Sequence, residues 1–182
     1  MPVVLEGNDF EILDGCRRGD RDAFRALFEA YQDRVFSIAL RFSGDRAAAL
    51  DIAQDVFLKL LSSMQDFRGG AGFEPWLYRL VVNRCLDYHR RGRRFRAMVE
   101  KLFTAVPGSA LADLLQSETE AQVQQAIAKL APEQRIVVVL RYTDGLSYEQ
   151  IAEVLGCSMG TVASRLNRAH KVLEKRLRRL YE

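Results

Sequence analysis

Apolar residues recur at steps of three and four along almost the whole chain. Phe24, Leu27, Phe28, Tyr31, Val35, Ile38, Ala39 and Phe42 trace one stripe through residues 20–42. Ala49, Ile52, Ala53, Val56, Phe57, Leu60, Leu61 and Met64 trace another through 46–64. This spacing predicts two amphipathic helices, each burying its stripe. Asp20 and Asp45 stand where N-caps belong, and Gly44 closes the first helix. A shorter stretch with Phe10, Ile12, Leu13 and Cys16 predicts a helix over 9–18, ended by Gly19. After a glycine-rich loop, Pro75 suits the first position of a helix running to about Arg91. Its Leu77, Val81 and Tyr88 are expected to point toward the core.

Residues 92–116 read as a linker. They open with Gly92, Arg93 and Arg94, contain Pro107, Gly108 and Ser109, and carry weak periodicity, with room for a transient helix over 95–103. A second helical unit starts near Ser117. Pro132 marks a break and restart, and Thr143, Asp144 and Gly145 form a turn signal. Val137, Val138, Val139 and Leu140 favour strand by composition, but they sit in a helical frame with Leu130, Ile136 and Tyr142. No alternating run is longer than a few residues, and there is no internal repeat. The prediction is an all-α chain of two small helical domains joined by a flexible linker.

Composition narrows the class. In 182 residues, 48% are hydrophobic and 28% charged, which supports a packed core and excludes wholesale disorder. No apolar run approaches the ~18–20 residues that span a bilayer. The N-terminus is acidic and too short in its apolar part for a secretory signal. Cys16, Cys85 and Cys157 lie far apart, without a CxxC pair, which argues against a disulfide framework or a zinc knuckle and suits a reduced cytoplasmic setting. Cys85 and His89 share a helical spacing, but no second pair completes a metal site.

The net charge of +3 hides a stronger pattern. Residues 1–66 hold 8 basic and 12 acidic groups, and residues 67–103 hold 9 and 3. Residues 104–160 hold 3 and 7, and residues 161–182 hold 7 and 2. Two basic blocks therefore alternate with two acidic ones. One such block alone reads as a solvated helix face. Two of them, one in each half, point to a polyanionic partner.

The C-terminal basic block belongs to a helix-turn-helix pattern. Ser147 and Gln150 have capping-box spacing. Ile151, Val154 and Leu155 form the apolar side of a first helix over 148–155, and Ala152 is small where a second helix would cross. Gly156 supplies the turn, Ser158 caps a second helix from Met159 to about Leu180, and Val162 packs back on the first. Ser164, Arg165, Asn167, Arg168 and Lys171 then form an outward face. Arg matches guanine edges, Asn matches adenine edges, and cations match phosphates.

The first basic block is built differently. Phe67, Arg68, Gly69, Gly70, Ala71, Gly72 and Phe73 form a loop flanked by aromatics. It feeds a helix on which Trp76, Arg79, Asn83, Asp87 and Arg90 share one side. An aromatic platform, an amide and cations beside a pliable loop suit unstacked bases. For Trp76, core packing and base stacking both remain open. On the preceding helix, Asp51, Gln54, Asp55 and Leu58 fall opposite the Ile52, Val56 and Leu60 stripe. They make either solvated surface or a docking site for a basic partner helix.

Together these residues resemble the extracytoplasmic-function (ECF) sigma factors of bacterial RNA polymerase. The resemblance runs from about Asp20 to Leu177. It rests on Asp51-Ile-Ala-Gln-Asp-Val-Phe57, Phe67-Arg-Gly-Gly-Ala-Gly-Phe73, Trp76-Leu-Tyr-Arg-Leu-Val-Val-Asn83 and Asp144-Gly-Leu-Ser-Tyr-Glu-Gln-Ile-Ala152, followed by Gly160-Thr-Val-Ala-Ser-Arg-Leu-Asn-Arg-Ala169. It implies region two over 1–94, a linker over 95–116 and region four over 117–182. It also implies that Asp51, Gln54, Asp55 and Leu58 dock on the clamp of the polymerase's largest subunit, and that region four meets the flap of the second-largest. The loop Phe67–Phe73 with Trp76, Arg79, Asn83, Arg84, Asp87, Arg90 and Arg91 would take the melted −10 strand, Asn83 facing a flipped base. Ser158, Thr161, Ala163, Ser164, Arg165, Asn167, Arg168 and Lys171 would meet the −35 duplex. Ala163 stands where the family often has Lys or Arg, Asn167 where it often has an aromatic or His, and Asp55 where Glu is common. The resemblance further implies an anti-sigma partner, no cofactor, no metal, no small-molecule substrate and no membrane insertion.

The residues carry no phosphate-cradling GxxxxGK[ST] and no nucleophile–base constellation, so no catalytic chemistry is expected. Two other functions draw on the same features. A DNA-binding regulator with an N-terminal oligomerisation module would use residues 146–171 but leave the loop 67–73 unexplained. An RNA-binding protein would use the basic helices and aromatics without promoter dependence.

Overall fold

The computed structural model describes residues 9–67, 72–102 and 118–178. They form α1 (Asp9–Arg17), α2 (Arg21–Ser43), α3 (Arg46–Ser63), α4 (Phe73–Leu102), α5 (Glu118–Ala128), α6 (Pro132–Tyr142), α7 (Tyr148–Leu155) and α8 (Met159–Leu177), with a short 3-10 turn at Met64–Asp66. There is no strand among the described residues, and no described helix is long and apolar enough to cross a membrane.

Local chemistry sets the helix ends. The Asp20 carboxylate accepts from the N–H groups of Asp22 and Ala23, and the Asp45 carboxylate accepts from Ala48 at 2.7 Å. Caps of this kind stabilise a helix by ~1 kcal/mol. Gly44 adopts φ 71°, a conformation that costs glycine little, and its N–H closes on Leu40 O at 2.8 Å.

In the first unit α2, α3 and α4 pack together, with α1 laid against α2. Leu27, Ile38 and Phe42 of α2, Ile52 and Leu60 of α3, and Val81 and Cys85 of α4 are all buried. Each such aliphatic side chain contributes ~1.5–3 kcal/mol through its removal from water. Burial pushes the Cys85 thiol up to about 12, so it behaves as a small core hydrophobe. In the second unit the β-prone run 137–140 is helical and buried throughout, forming the centre on which α8 packs.

Several expectations need correction. α4 does not end at Arg91 but continues to Leu102. Gly92 is an ordinary helical residue there, with open space where a Cβ would stand, and one glycine costs only ~1 kcal/mol in a helix. The linker expected over 95–116 is thus helical at its start, and its remainder lies outside the described residues. Pro75 is the third residue of α4, not the first; its missing N–H is harmless, because the N–H groups of a first turn lack intrahelical partners. Tyr88, Phe28, Leu61 and Tyr142 are exposed. For Tyr88 the reason is that α4 has by then passed Cys85, the last residue buried among those of this helix whose burial is described. The far end of the expected helix 159–180 also lies outside the described residues.

The second unit packs on the first through α2 and α4. Its Gln124 Nε2 donates to Arg41 O at 2.8 Å, and its Arg135 Nη1 donates to Phe42 O at 2.9 Å. These are carbonyls of the last turn of α2, which have no partner within their own helix. A guanidinium is also favoured at the negative end of the helix dipole. Arg135 is only 7% exposed, lies 5.2 Å from the Phe42 ring centroid, and donates as well to Ala128 O and Leu130 O. Burial lowers its pKa.

Candidate nucleic-acid interface

The helix-turn-helix forms as its residues predict. Ser147 Oγ accepts from the Gln150 N–H at 3.2 Å while Gln150 Oε1 accepts from the Ser147 N–H at 2.8 Å. Gly156 takes φ 60° with two carbonyls of α7 accepting from its N–H. Val162, Leu166 and Ala169 seat α8 against the core, each 1% exposed or less. The opposite side presents Ala163, Ser164, Asn167, Arg168 and Lys171 to solvent, with Arg165 and Thr161 half-buried. Among the described residues Arg165, Asn167, Arg168 and Lys171 make no hydrogen bond or ion pair. Ser158 is already engaged: its Oγ accepts from the Thr161 N–H and lies 3.0 Å from Thr161 Oγ1, while Ser164 Oγ donates to Thr161 O. The hydroxyls therefore stiffen the helix start, and the amide and cations remain available.

The α4 face is more entangled. Trp76 is half-buried, 5.0 Å from the Phe67 ring and 5.9 Å from Phe73, and Phe73 in turn meets Tyr31 at 5.3 Å. Trp76 therefore packs within this aromatic cluster and stays partly exposed. Arg17, at the end of α1, donates to Phe67 O at 2.5 Å and lies 5.4 Å from that ring. It anchors the entry to the loop, a role with no local signal in the sequence. Arg68, Gly69, Gly70 and Ala71 lie outside the described residues. Gly72 is exposed at φ 84°. Asn83, Arg90 and Arg91 are exposed, and Arg84 is half-buried. Asp87 lies 2.5 Å from Arg90 and 4.0 Å from Arg84, so it offsets part of this block's charge. Arg79 Nη2 donates to Glu153 O of α7 at 3.0 Å.

On α3, Asp51, Gln54, Asp55 and Leu58 are all exposed. Leu58 does not stand alone. Phe24, Phe28, Leu50 and Leu61 join it around an open groove of about 720 Å³ between α2 and α3. Four exposed large apolar side chains in one groove, Phe28, Leu50, Leu58 and Leu61, make a patch that solvation alone does not explain. The period-based reading missed it because it assigned Phe28 and Leu61 to the core.

A polar cluster lies where α2, α4 and the turn after α6 meet. Arg34 Nη1 donates to Glu74 Oε1 at 2.8 Å. Beside them Asp144 is pushed up to about 6 by burial, with Glu74 adding to the rise and Arg34 and Tyr78 opposing it. Burial likewise raises Tyr78.

The chain is similar to known proteins along most of its length. Residues 27–95 match the family model of sigma-70 region 2, and residues 120–173 match that of sigma-70 region 4. The chain is 35% identical to the RNA polymerase sigma-H factor of Pseudomonas aeruginosa, covering 98% of both chains. It is 33% identical to the ECF RNA polymerase sigma-E factor of Escherichia coli K12, over 94% of this chain and 95% of that one. It is 32% identical to the ECF sigma factor SigW of Bacillus subtilis, over 90% and 94%. Among solved structures it is similar to CnrH in complex with the cytosolic domain of CnrY, at 27% identity and TM-score 0.68, covering 93% and 96%. A sigma factor RpoE bound to the anti-sigma factor NepR from Bartonella quintana shares the fold, at 24% identity and TM-score 0.68, over 85% and 96%.

Proposed function

The chain belongs to the ECF sigma factors of bacterial RNA polymerase, and from that membership we propose how its surfaces divide the work. It is an alternative sigma factor, a specificity subunit that directs core polymerase to particular promoters. The α8 face of Asn167, Arg168 and Lys171, with Ala163, Ser164 and Arg165 around them, enters the −35 major groove, while Ser158 and Thr161 set the helix start beside the phosphates. Phe67, Trp76, Arg79 and Asn83 take the melted −10 strand: the aromatics stack, the amide reads the flipped base, and Arg79, Arg84, Arg90 and Arg91 follow the backbone. The α3 stripe of Asp51, Gln54, Asp55 and Leu58 docks on the polymerase clamp, its acidic residues matching basic ones and its groove taking an apolar side chain. The protein does no catalytic chemistry of its own and works in the cytoplasm, where the polymerase and chromosome are. An anti-sigma factor holds it inactive, as the solved complex of its 27%-identical neighbour CnrH with CnrY suggests.

The observation that carries this reading is the exposure of an uncommitted amide and cations on α8 together with the exposed acidic stripe on α3. Capture of core polymerase tests the docking half. The wild-type chain is expected to retain core enzyme, and Leu58→Asp to lose it while both proteins melt alike. Equal retention by the two would remove the groove from the interface.

A further inference from the structure

The loop assigned to the −10 strand is held at both ends by aromatic rings. Phe67, before it, and Phe73, after it, stand edge to face at 5.9 Å. Trp76 tilts against Phe67 at 5.0 Å, and Tyr31 of α2 meets Phe73 at 5.3 Å. Both phenylalanines are buried. Ring packing fixes these side chains. The peptide that leads into the loop needs a hydrogen bond to orient it.

That bond comes from α1. Arg17 Nη2 donates to Phe67 O at 2.5 Å, and the guanidinium lies 5.4 Å from the Phe67 ring centroid. One side chain thus holds both the carbonyl and the ring of one residue. A peptide unit is planar, so a fixed carbonyl sets the direction in which the chain leaves Phe67. Arg17 Nε is buried without a hydrogen-bond partner. Leaving a buried donor unpaired is costly, and an apolar side chain would fill the space without that cost. Packing alone therefore does not account for an arginine here. The two preceding residues seat α1. A Cβ on Gly15 would stand 2.7 Å from Ala23 Cβ of α2, a crossing that one methyl group would force apart. Cys16, the next residue, is buried. Gly15 and Cys16 thus aim Arg17 at a partner 50 residues away.

We infer that Arg17 is a positioning residue for −10 recognition, which sets the base preference of the loop through Phe67 without touching DNA. The inference rests on the assignment of the loop Phe67–Phe73 to the −10 strand. A site that accepts one base edge and refuses another needs its groups held to within about 0.5 Å. Without the Arg17 bond the entry to the loop can tilt. A tilt costs contacts to the preferred base more than contacts to any other. Preference is a difference of affinities, so it falls further than general binding does. A direct contact from Arg17 to a phosphate would do the reverse, since phosphates carry no sequence information.

The test uses holoenzyme assembled from core polymerase and the full-length chain. The probes are a single-stranded oligonucleotide with the −10 non-template sequence of a promoter mapped by that holoenzyme, and its single-base variants. Preference is the ratio of the two affinities. Arg17→Ala is expected to reduce it about three- to tenfold, the range one hydrogen bond supplies, with the salt dependence of binding unchanged. A lost phosphate contact would instead flatten the slope of log affinity against log salt by about 0.7 and leave the ratio alone. Arg17→Lys keeps the charge but not the planar fork, and is expected to restore only part of the preference. Gly15→Ala leaves Arg17 in place but drives α1 from α2, and is expected to reduce the ratio in the same direction. Core capture is the folding control, and its loss in Gly15→Ala leaves the two Arg17 variants to decide. Wild-type preference in Arg17→Ala, a flattened salt slope or full recovery by lysine would each overturn the inference. So would a core-binding Gly15→Ala with wild-type preference. Wild-type holoenzyme that binds every probe alike would instead overturn the assignment of the loop itself.

Discussion

The two basic helices meet nucleic acid from opposite starting conditions. α8 is finished before any ligand arrives. Its start is capped by Ser158, its inner face is buried through Val162, Leu166 and Ala169, and its outer cations have no partner among the described residues. α4 is committed internally, with Trp76 packed on Phe67 and Phe73, Arg84 and Arg90 drawn to Asp87, and Arg79 held by Glu153. The difference follows the proposed targets. A duplex presents a fixed groove, so a rigid helix reads it best. A melted strand has no fixed shape, and a site for it must rearrange and pull a base out of its stack, at a cost of a few kcal/mol.

The largest expected effect comes from breaking the rigid partner. Leu166→Ala empties a fully buried position under α8 and is expected to destabilise the second domain by ~2–5 kcal/mol in denaturant unfolding. Duplex −35 binding should fall with it, while the first domain keeps its own transition. A single shared transition, lowered as a whole, would show that the domains do not unfold separately.

A smaller effect sharpens how α8 reads. Arg168→Ala should weaken −35 duplex binding by ~1–3 kcal/mol at one base position if Arg168 contacts a base edge. An equal loss on every sequence would make it a phosphate contact. For α4 the matching change is Asn83→Ala. It should reduce promoter opening, followed by permanganate reactivity, by ~1 kcal/mol or more, and leave −35 duplex binding unchanged. Equal losses in both assays would dissolve the division between the helices.

The smallest change probes the extension of α4. Gly92→Ala meets open space and is expected to stabilise the helix by ~0.5–1 kcal/mol, visible as a gain in thermal midpoint. A loss would mean that the backbone at Gly92 is not helical.

Much of this was legible in the sequence because it is local. Period-3.6 stripes placed α2 and α3, and Asp20, Gly44, Asp45, Ser147 and Ser158 stood at helix ends because each satisfies backbone groups only a few residues away. The outward face of α8 followed from the same arithmetic. What failed depends on distance. Nothing near Phe28 or Leu61 says that their side of the stripe meets a groove and not a neighbouring helix. Nothing near Arg17, Gln124 or Arg135 names Phe67, Arg41 or Phe42 as partners, since those contacts span 50, 83 and 93 residues. The commitment of Arg79 was hidden for the same reason. Sequence chemistry marked it as a cation on a candidate DNA face, but only the packing of α4 on α7 shows what holds it.

The central claim is that this chain gives core polymerase a promoter preference through two separate reading heads. Run-off transcription by core polymerase reconstituted with the purified chain, on fragments spanning the genome, tests it most directly. The account predicts factor-dependent starts at a discrete set of sites sharing a −35 and a −10 element, lost at altered −35 sequences in the Arg168→Ala enzyme. Core enzyme that starts no transcript on any fragment when the chain is added would contradict it.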